Sequence, residues 1–255
     1  MIRQIKKQAR SIVLGNYQVF LVPTLLYIFS AFVMSSSSLF FHNENIFKTN
    51  LFLGSLLLGL FFVFCLCVSP LSVFLFFKAA VGLVNKQADK EKHSMPSLSF
   101  RDMVKIAAIQ LVPNLAYTLW RFLNGFTQQP SRLISAVFAG FCIYLSYKFF
   151  VCNYYYVSNR DTIKSTLVFS FETMKGKFGK YLLLTVSFEL WYLAVVALTL
   201  LVSDTFHIGG VYKTLLLSVG CGVYLYLLPY QYTAYTLFIK NILSVSKNKR
   251  KKNKT

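Results

Sequence analysis

The chain has 255 residues, of which 56% are hydrophobic, 17% aromatic and only 14% charged, and its mean hydropathy is +0.55. The apolar residues come in blocks of about twenty or more, which excludes one or two soluble domains and implies a multi-span membrane protein. The net charge of +19 is no sign of nucleic acid binding: Lys and Arg gather in short segments between the blocks, and no folded module outside them is large enough to read a nucleic acid.

In chain order, Arg3, Lys6, Lys7 and Arg10 make a basic head. Ile2, Ile5, Ala9 and Ile12 recur at helical spacing and predict a short amphipathic helix. Gly15-Asn16-Tyr17 follows, and the glycine is expected to end that helix and turn the chain into the membrane. No small-x-small site closes the next apolar run, so the first span is expected to be retained. Six spans are predicted, at 17–39, 51–83, 103–125, 133–157, 181–203 and 211–240. A hydrocarbon core of about 30 Å needs about 20 helical residues, and each block reaches that. The second and sixth are longer and contain Pro70 and Pro229, each a site for a kink or an interfacial continuation. Phe100, Val104 and Ala107 or Ala108 predict a second amphipathic helix before the third span. Ile163, Leu167, Phe171 and Met174 predict a third before the fifth span, ended by Gly176. Leu21-Val22-Pro23-Thr24-Leu25 echoes Leu111-Val112-Pro113-Asn114-Leu115. The echo suggests an interfacial helix plus a transmembrane hairpin used three times, with chance similarity of apolar segments as the alternative.

The connecting segments assign sides. Twenty basic residues lie in the head, near 84–105, near 158–180 and in the tail; only Lys48, Arg121, Arg132 and Lys213 lie in the alternating set. That bias places both termini in the cytoplasm. The expected architecture is an all-α polytopic bundle of six transmembrane helices with short cytoplasmic amphipathic helices: one membrane domain over 1–245 and a basic cytoplasmic tail over 246–255.

The C-terminal half carries a pattern. Ser170-Phe171-Glu172-Thr173-Met174-Lys175-Gly176-Lys177 is followed by Leu182, Leu184, Ser187-Phe188 and Trp191-Tyr192, then Leu228-Pro229-Tyr230, Thr233-Ala234 and Phe238. Ile5-Lys6, Ala9, Leu14-Gly15-Asn16-Tyr17 and Pro70-Leu71 extend it. Taken together these motifs resemble a family of bacterial polytopic membrane proteins known as domain of unknown function 975. The resemblance covers most of the chain and is weakest over 86–150. It implies a six-span fold in the cytoplasmic membrane and no established activity. The chain departs from the family at Glu189-Leu190, where the family has an apolar residue and glycine. It also has Arg121 through Arg132 in place of the family's turn after the third span.

Glu189 is the sharpest single feature. It sits about eight residues into the fifth span, about 12 Å from its inner end. A carboxylate at that depth is costly and usually faces a bundle interior. Lys148 lies at similar depth in the fourth span. The two are expected to form an intramembrane polar pair, either fixing helix packing or forming a step in a proton or substrate path; independent snorkelling to the headgroups is the alternative. Tyr230 and Tyr232 follow Pro229, whose ring frees a backbone carbonyl, and are candidates for lining a cavity. Lys78, near the inner end of the second span, is grouped with them, although snorkelling explains it. The remaining tyrosines near span ends fit an aromatic belt.

Catalysis has little to draw on. The chain holds eight carboxylates, three scattered histidines and five cysteines inside apolar blocks, with no CxxC. The cysteines read as soft apolar filler. His42 with Glu44, and His207, read as solvated loop residues, short of the ligand count a metal needs. No nucleophile elbow, phosphate loop, zinc helix or dinucleotide turn occurs. The expectation is a non-enzymatic protein without cofactor or metal. It would act through lipids or a membrane partner, in envelope maintenance or self-protection against membrane-active peptides. Lys249-Arg250-Lys251-Lys252 would attract anionic lipid at the cytoplasmic face. The rival is a permease subunit served by a separate ATPase, with the helix near 163–175 as coupling element.

Overall fold

The computed structural model describes residues 1–29, 70–86, 104–113, 132–205 and 225–244, together with residues 68, 99, 101, 102, 116 and 223. Every regular element among them is helical. In chain order they are α1 (Ile2–Gly15), α2 (Tyr17–Phe29, opening with a 3-10 turn), α3 (70–86), α4 (Val104–Pro113), α5 (Arg132–Phe149), α6 (Cys152–Asn159), α7 (Ile163–Met174), α8 (Phe178–Thr205) and α9 (225–244). The outer parts of the first three expected spans, the start of the sixth, His42, Glu44, His207 and the tail lie outside the described residues.

Two helical stretches are long and apolar enough to cross a membrane, Ala136–Asn159 and Phe178–Val195; α1 and α2 taken as one bent pair would make a third. Only 28% and 17% of the first two windows are buried. On α8 the side chains of Leu183, Leu190, Trp191, Leu193, Leu198 and Leu201 are 59% to 67% exposed. A helix apolar on its outward face as well as its inward one suits a lipid surround, since water would penalise that area at about 25 cal/mol per Å².

The chain divides into two compact units. The first comprises Met1–Thr24, Phe76–His93 and Lys175–Thr255; the second comprises Leu25–Leu75 and Ser94–Met174.

In the first unit, α1 buries Ile5, Ala9, Ile12 and Val13, the stripe its spacing predicts. The axis then bends by 93° into α2. Glycine does not make this turn. Gly15 is the last helical residue, and Asn16 breaks the helix at φ −142°. Its side-chain Nδ2 donates to the Ile12 carbonyl at 3.0 Å and its backbone N–H to Val13 at 3.1 Å. An asparagine can satisfy a freed helix carbonyl with its own amide, and the turn's negative φ needs no glycine. Gly176 does match the expectation: it stands at φ +71° between α7 and α8, where a side chain would be strained. The unit's core is aromatic. Phe20 stacks on Phe76, and Phe76 lies flat on Tyr232 with centroids 4.6 Å apart and an interplanar angle of 6°. Phe77 meets Tyr232 edge-on, and Phe188 meets Tyr230 and Tyr235 the same way. α9 is buried nearly all round from Leu227 to Ile239, so it is the central helix of this unit.

In the second unit, α5 stops at Phe149 and the chain resumes as α6 at Cys152. Arg160, at φ 49° and ψ 38°, reverses the chain, and α7 runs back along α6 and the end of α5. Ser170 fills the helix break. Its Oγ donates to the Lys148 carbonyl at 2.6 Å and accepts the Val151 N–H at 3.3 Å. The Tyr147 hydroxyl donates to the Met174 carbonyl. The core joins Phe74, Ile106, Ile109, Phe149, Cys152 and Tyr156.

Of the other two predicted stripes, one holds and one shifts. On α7, Met174 is buried and Ile163 and Leu167 pack against the core, with Thr166 and Ser170 buried beside them, while Phe171 is 40% exposed. Ser170 faces inward because the broken helix beside it offers bare backbone groups, while the Thr166 hydroxyl donates to the Thr162 carbonyl at 2.9 Å. On α4 the buried positions are Ile106 and Ile109, preceded by Asp102, while Val104 is 52% exposed and Ala108 lies outward.

Candidate functional site

The residues singled out in the sequence fall in different surroundings. Lys148 belongs to the second unit and Glu189 to the first. The Lys148 ammonium lies 5.6 Å, 5.6 Å and 5.7 Å from the ring centroids of Tyr144, Tyr147 and Phe171. Three ring faces thus share one cation, a favourable electrostatic arrangement where water is scarce. Glu189 is exposed on α8.

Tyr230 and Tyr232 are half-buried. Tyr230 stacks on Tyr226 and meets Phe188, while Tyr232 sits among Phe76, Phe77 and Tyr235. Lys78 is half-buried on α3. The polar connection nearest these rings runs through Gln231, which the sequence analysis passed over. Tyr192 donates to Gln231 Oε1 at 2.7 Å, and Gln231 Nε2 donates to Tyr235 Oη at 2.8 Å. Gln231 and Tyr235 are both 8% exposed. This chain of hydrogen bonds crosses from α8 to α9 with the polar ends of all three side chains paired. On α1, Lys6 Nζ donates to the Ser187 carbonyl at 3.3 Å and stands 4.7 Å from the Phe188 ring centroid.

Among the described residues of the second unit, the densest polar cluster is built on Asp102. Ser99 and Asp102 form a reciprocal cap at the head of α4. The Ser99 backbone N–H and hydroxyl donate to Asp102 Oδ2 at 3.1 Å and 3.0 Å, and the Asp102 N–H donates to Ser99 Oγ at 3.3 Å. Tyr156 donates to Oδ1 at 2.7 Å, and Arg160 donates to Oδ2 at 2.9 Å as an ion pair. Burial opposes ionisation of this carboxyl, yet the hydrogen bonds from Tyr156 and Ser99 and the charge of Arg160 outweigh it and hold its pKa below the ordinary carboxylate value. The Lys105 ammonium lies 5.7 Å from the Tyr156 ring centroid.

Chemically, this cluster fastens more than it reacts. Both Asp102 oxygens are engaged, so the carboxylate is a poor general base. It pins α4, the Tyr156 hydroxyl on α6 and the Arg160 turn to one point. The sequence did carry one signal for it. Ser99-x-x-Asp102 before an apolar run is a capping-box pattern. Among the described residues, no three His, Cys, Asp or Glu side chains gather where they could hold a metal ion. Cys152 is buried and unpaired, with its thiol directed at the Thr166 carbonyl.

No family model, curated protein or solved structure matches the chain.

Proposed function

We propose that the chain is a six-span protein of a bacterial cytoplasmic membrane, with both termini in the cytoplasm, and that it is a relative of the domain of unknown function 975 family. It acts through lipids or a membrane protein partner and not through catalysis of its own, in envelope maintenance or self-protection against membrane-active peptides. The observation that carries the membrane part is the outward apolar face of α8, with six large side chains from Leu183 to Leu201 more than half exposed. The basic bias of the loops supports the orientation, and the polar side chains of α8 and α9 that pair within the first unit support a passive scaffold. Single cysteines near residue 3 and in the tail, probed in sealed spheroplasts with a membrane-impermeant thiol reagent, test the topology. Both should stay unlabelled until the membrane is opened; labelling of either end in intact cells breaks the six-span assignment. Mass spectrometry of the protein and lipids that co-purify from native membrane then identifies the partner.

A second assignment, a permease subunit, is favoured by α7. Ser170, Tyr147 and the Phe171 ring tie it to the end of α5, while Val168 and Glu172 face outward. A helix braced against a span on one side and open on the other could transmit the stroke of an ATPase. A stoichiometric ATPase in the same purification selects this assignment.

A further inference from the structure

Arg101 and Lys105 are four residues apart at the head of α4, so they share one helix face. Arg101 is exposed and Lys105 half-buried. Both charges gather at Tyr156: the Lys105 ammonium stands 5.7 Å from the ring centroid, and Arg101 acts electrostatically on its hydroxyl. The neighbouring carboxylate is engaged elsewhere: Asp102 is bonded to Arg160, Tyr156 and Ser99. Among the described residues, neither Arg101 nor Lys105 forms an ion pair. Two cations therefore stand side by side on a fixed helix end, with the Asp102 carboxylate between them already paired with Arg160.

We propose that Arg101 and Lys105 bind the phosphate headgroup of an anionic phospholipid of the inner leaflet. This rests on the membrane assignment above and narrows it to a site. Three features favour a lipid over a free anion. The pair lies where the third expected span begins, at headgroup level. Tyr154 and Tyr155, at the inner end of the fourth, supply the amphipathic rings typical of that depth. The apolar surface beside them accommodates acyl chains, with Val104 on the same helix 52% exposed. Arginine offers a planar fork that takes two phosphate oxygens, and lysine adds a point charge whose stem is already placed over a ring, so little freedom is lost on binding.

The test uses the full-length protein in a neutral detergent, titrated with short-chain phosphatidylglycerol, short-chain phosphatidylcholine or inorganic phosphate and read by native mass spectrometry. Wild type should retain phosphatidylglycerol over phosphatidylcholine. Arg101→Gln with Lys105→Met, which keeps most of each stem, should weaken phosphatidylglycerol about thirtyfold, the effect of two basic residues near a lipid surface, and leave phosphatidylcholine unchanged. Arg101→Lys with Lys105→Arg should keep most of the affinity, which separates lost charge from lost folding. Equal phosphatidylglycerol binding by wild type and the Gln/Met variant overturns the proposal. So does inorganic phosphate binding as tightly as the lipid, which would make the site one for a soluble anion. Carbonate washing of native membranes checks the underlying assignment separately. A chain that resists the wash yet shows no preference for anionic lipid sinks this site alone; one that washes off sinks both.

Discussion

The two units solve helix association by different means. In the first, rings do the fastening: Phe20, Phe76 and Tyr232 form a continuous stack, Phe188 meets two tyrosines edge-on, and one chain of neutral hydrogen bonds threads between α8 and α9. In the second, fastening falls to polar groups that repair backbone defects. Ser170 serves the break at Phe150 and Val151, and Asp102 serves both a helix head and the left-handed turn at Arg160. The first unit has defects too, where Asn16 donates to the Ile12 carbonyl and Tyr17 donates to the Leu225 carbonyl that Pro229 leaves free, but ring packing and neutral side-chain pairs hold the rest of it. The broken and reversed helices of the second unit expose N–H and C=O groups that polar side chains or water must satisfy.

This contrast can be broken by experiment. Phe76 is fully buried between two rings, and Phe76→Ala should cost about 4 kcal/mol through the cavity it leaves, measured by unfolding the purified protein in mixed micelles. A loss below about 1 kcal/mol would mean the stack is incidental. Asp102→Ala should cost about 3 kcal/mol. That is the lower end for stranding one member of a charged pair, chosen because the Arg160 side chain is 32% exposed and partly screened. An unchanged midpoint would show that the cluster does not fasten the second unit.

The pH dependence of unfolding sharpens the contrast further. The Asp102 carboxyl is depressed in the folded protein, so its stabilisation is fully present above the unfolded value near 3.8 and is lost as pH falls through the lower folded value. Asp102→Asn should remove this contribution to the acid loss, and Phe76→Leu should leave it intact. The smallest expected effect is that of Ser170→Ala, about 1 kcal/mol, because water or a local shift can take over part of what the hydroxyl does. Backbone amide exchange at Val151 should quicken in that variant while exchange in α9 stays as in wild type.

Much of the helix layout was legible in the sequence. The apolar block expected at 181–203 is α8 at Phe178–Thr205, and the block at 133–157 contains α5 and α6. The stripe of Ile5, Ala9 and Ile12 lies buried where its spacing put it. Hydrophobic periodicity is local, and α1 obeys it. What escaped depends on residues distant in the chain. Asp102 beside Arg101 looks like an ordinary solvated charge, and its burial rests on Tyr156 and Arg160, which lie 54 and 58 positions further on. Gln231 carries neither charge nor motif, so nothing in its neighbourhood marked it as the link between two tyrosines. The break after Phe149 has no proline or glycine to announce it; the partner that stabilises it, Ser170, belongs to another helix.

The bond from Lys6 to the Ser187 carbonyl spans 181 positions, and that from Tyr17 to Leu225 spans 208. A ribosome therefore finishes α1 long before the Lys6 partner exists. At about 5–20 residues per second, the wait for Ser187 alone is about 10–40 s. Throughout that interval α1 lacks this tie, and a lipid surface can host its apolar stripe meanwhile. A transcript cut short before that point would yield a chain whose leading helix never docks, with a greasy stripe left bare for quality-control proteases to recognise.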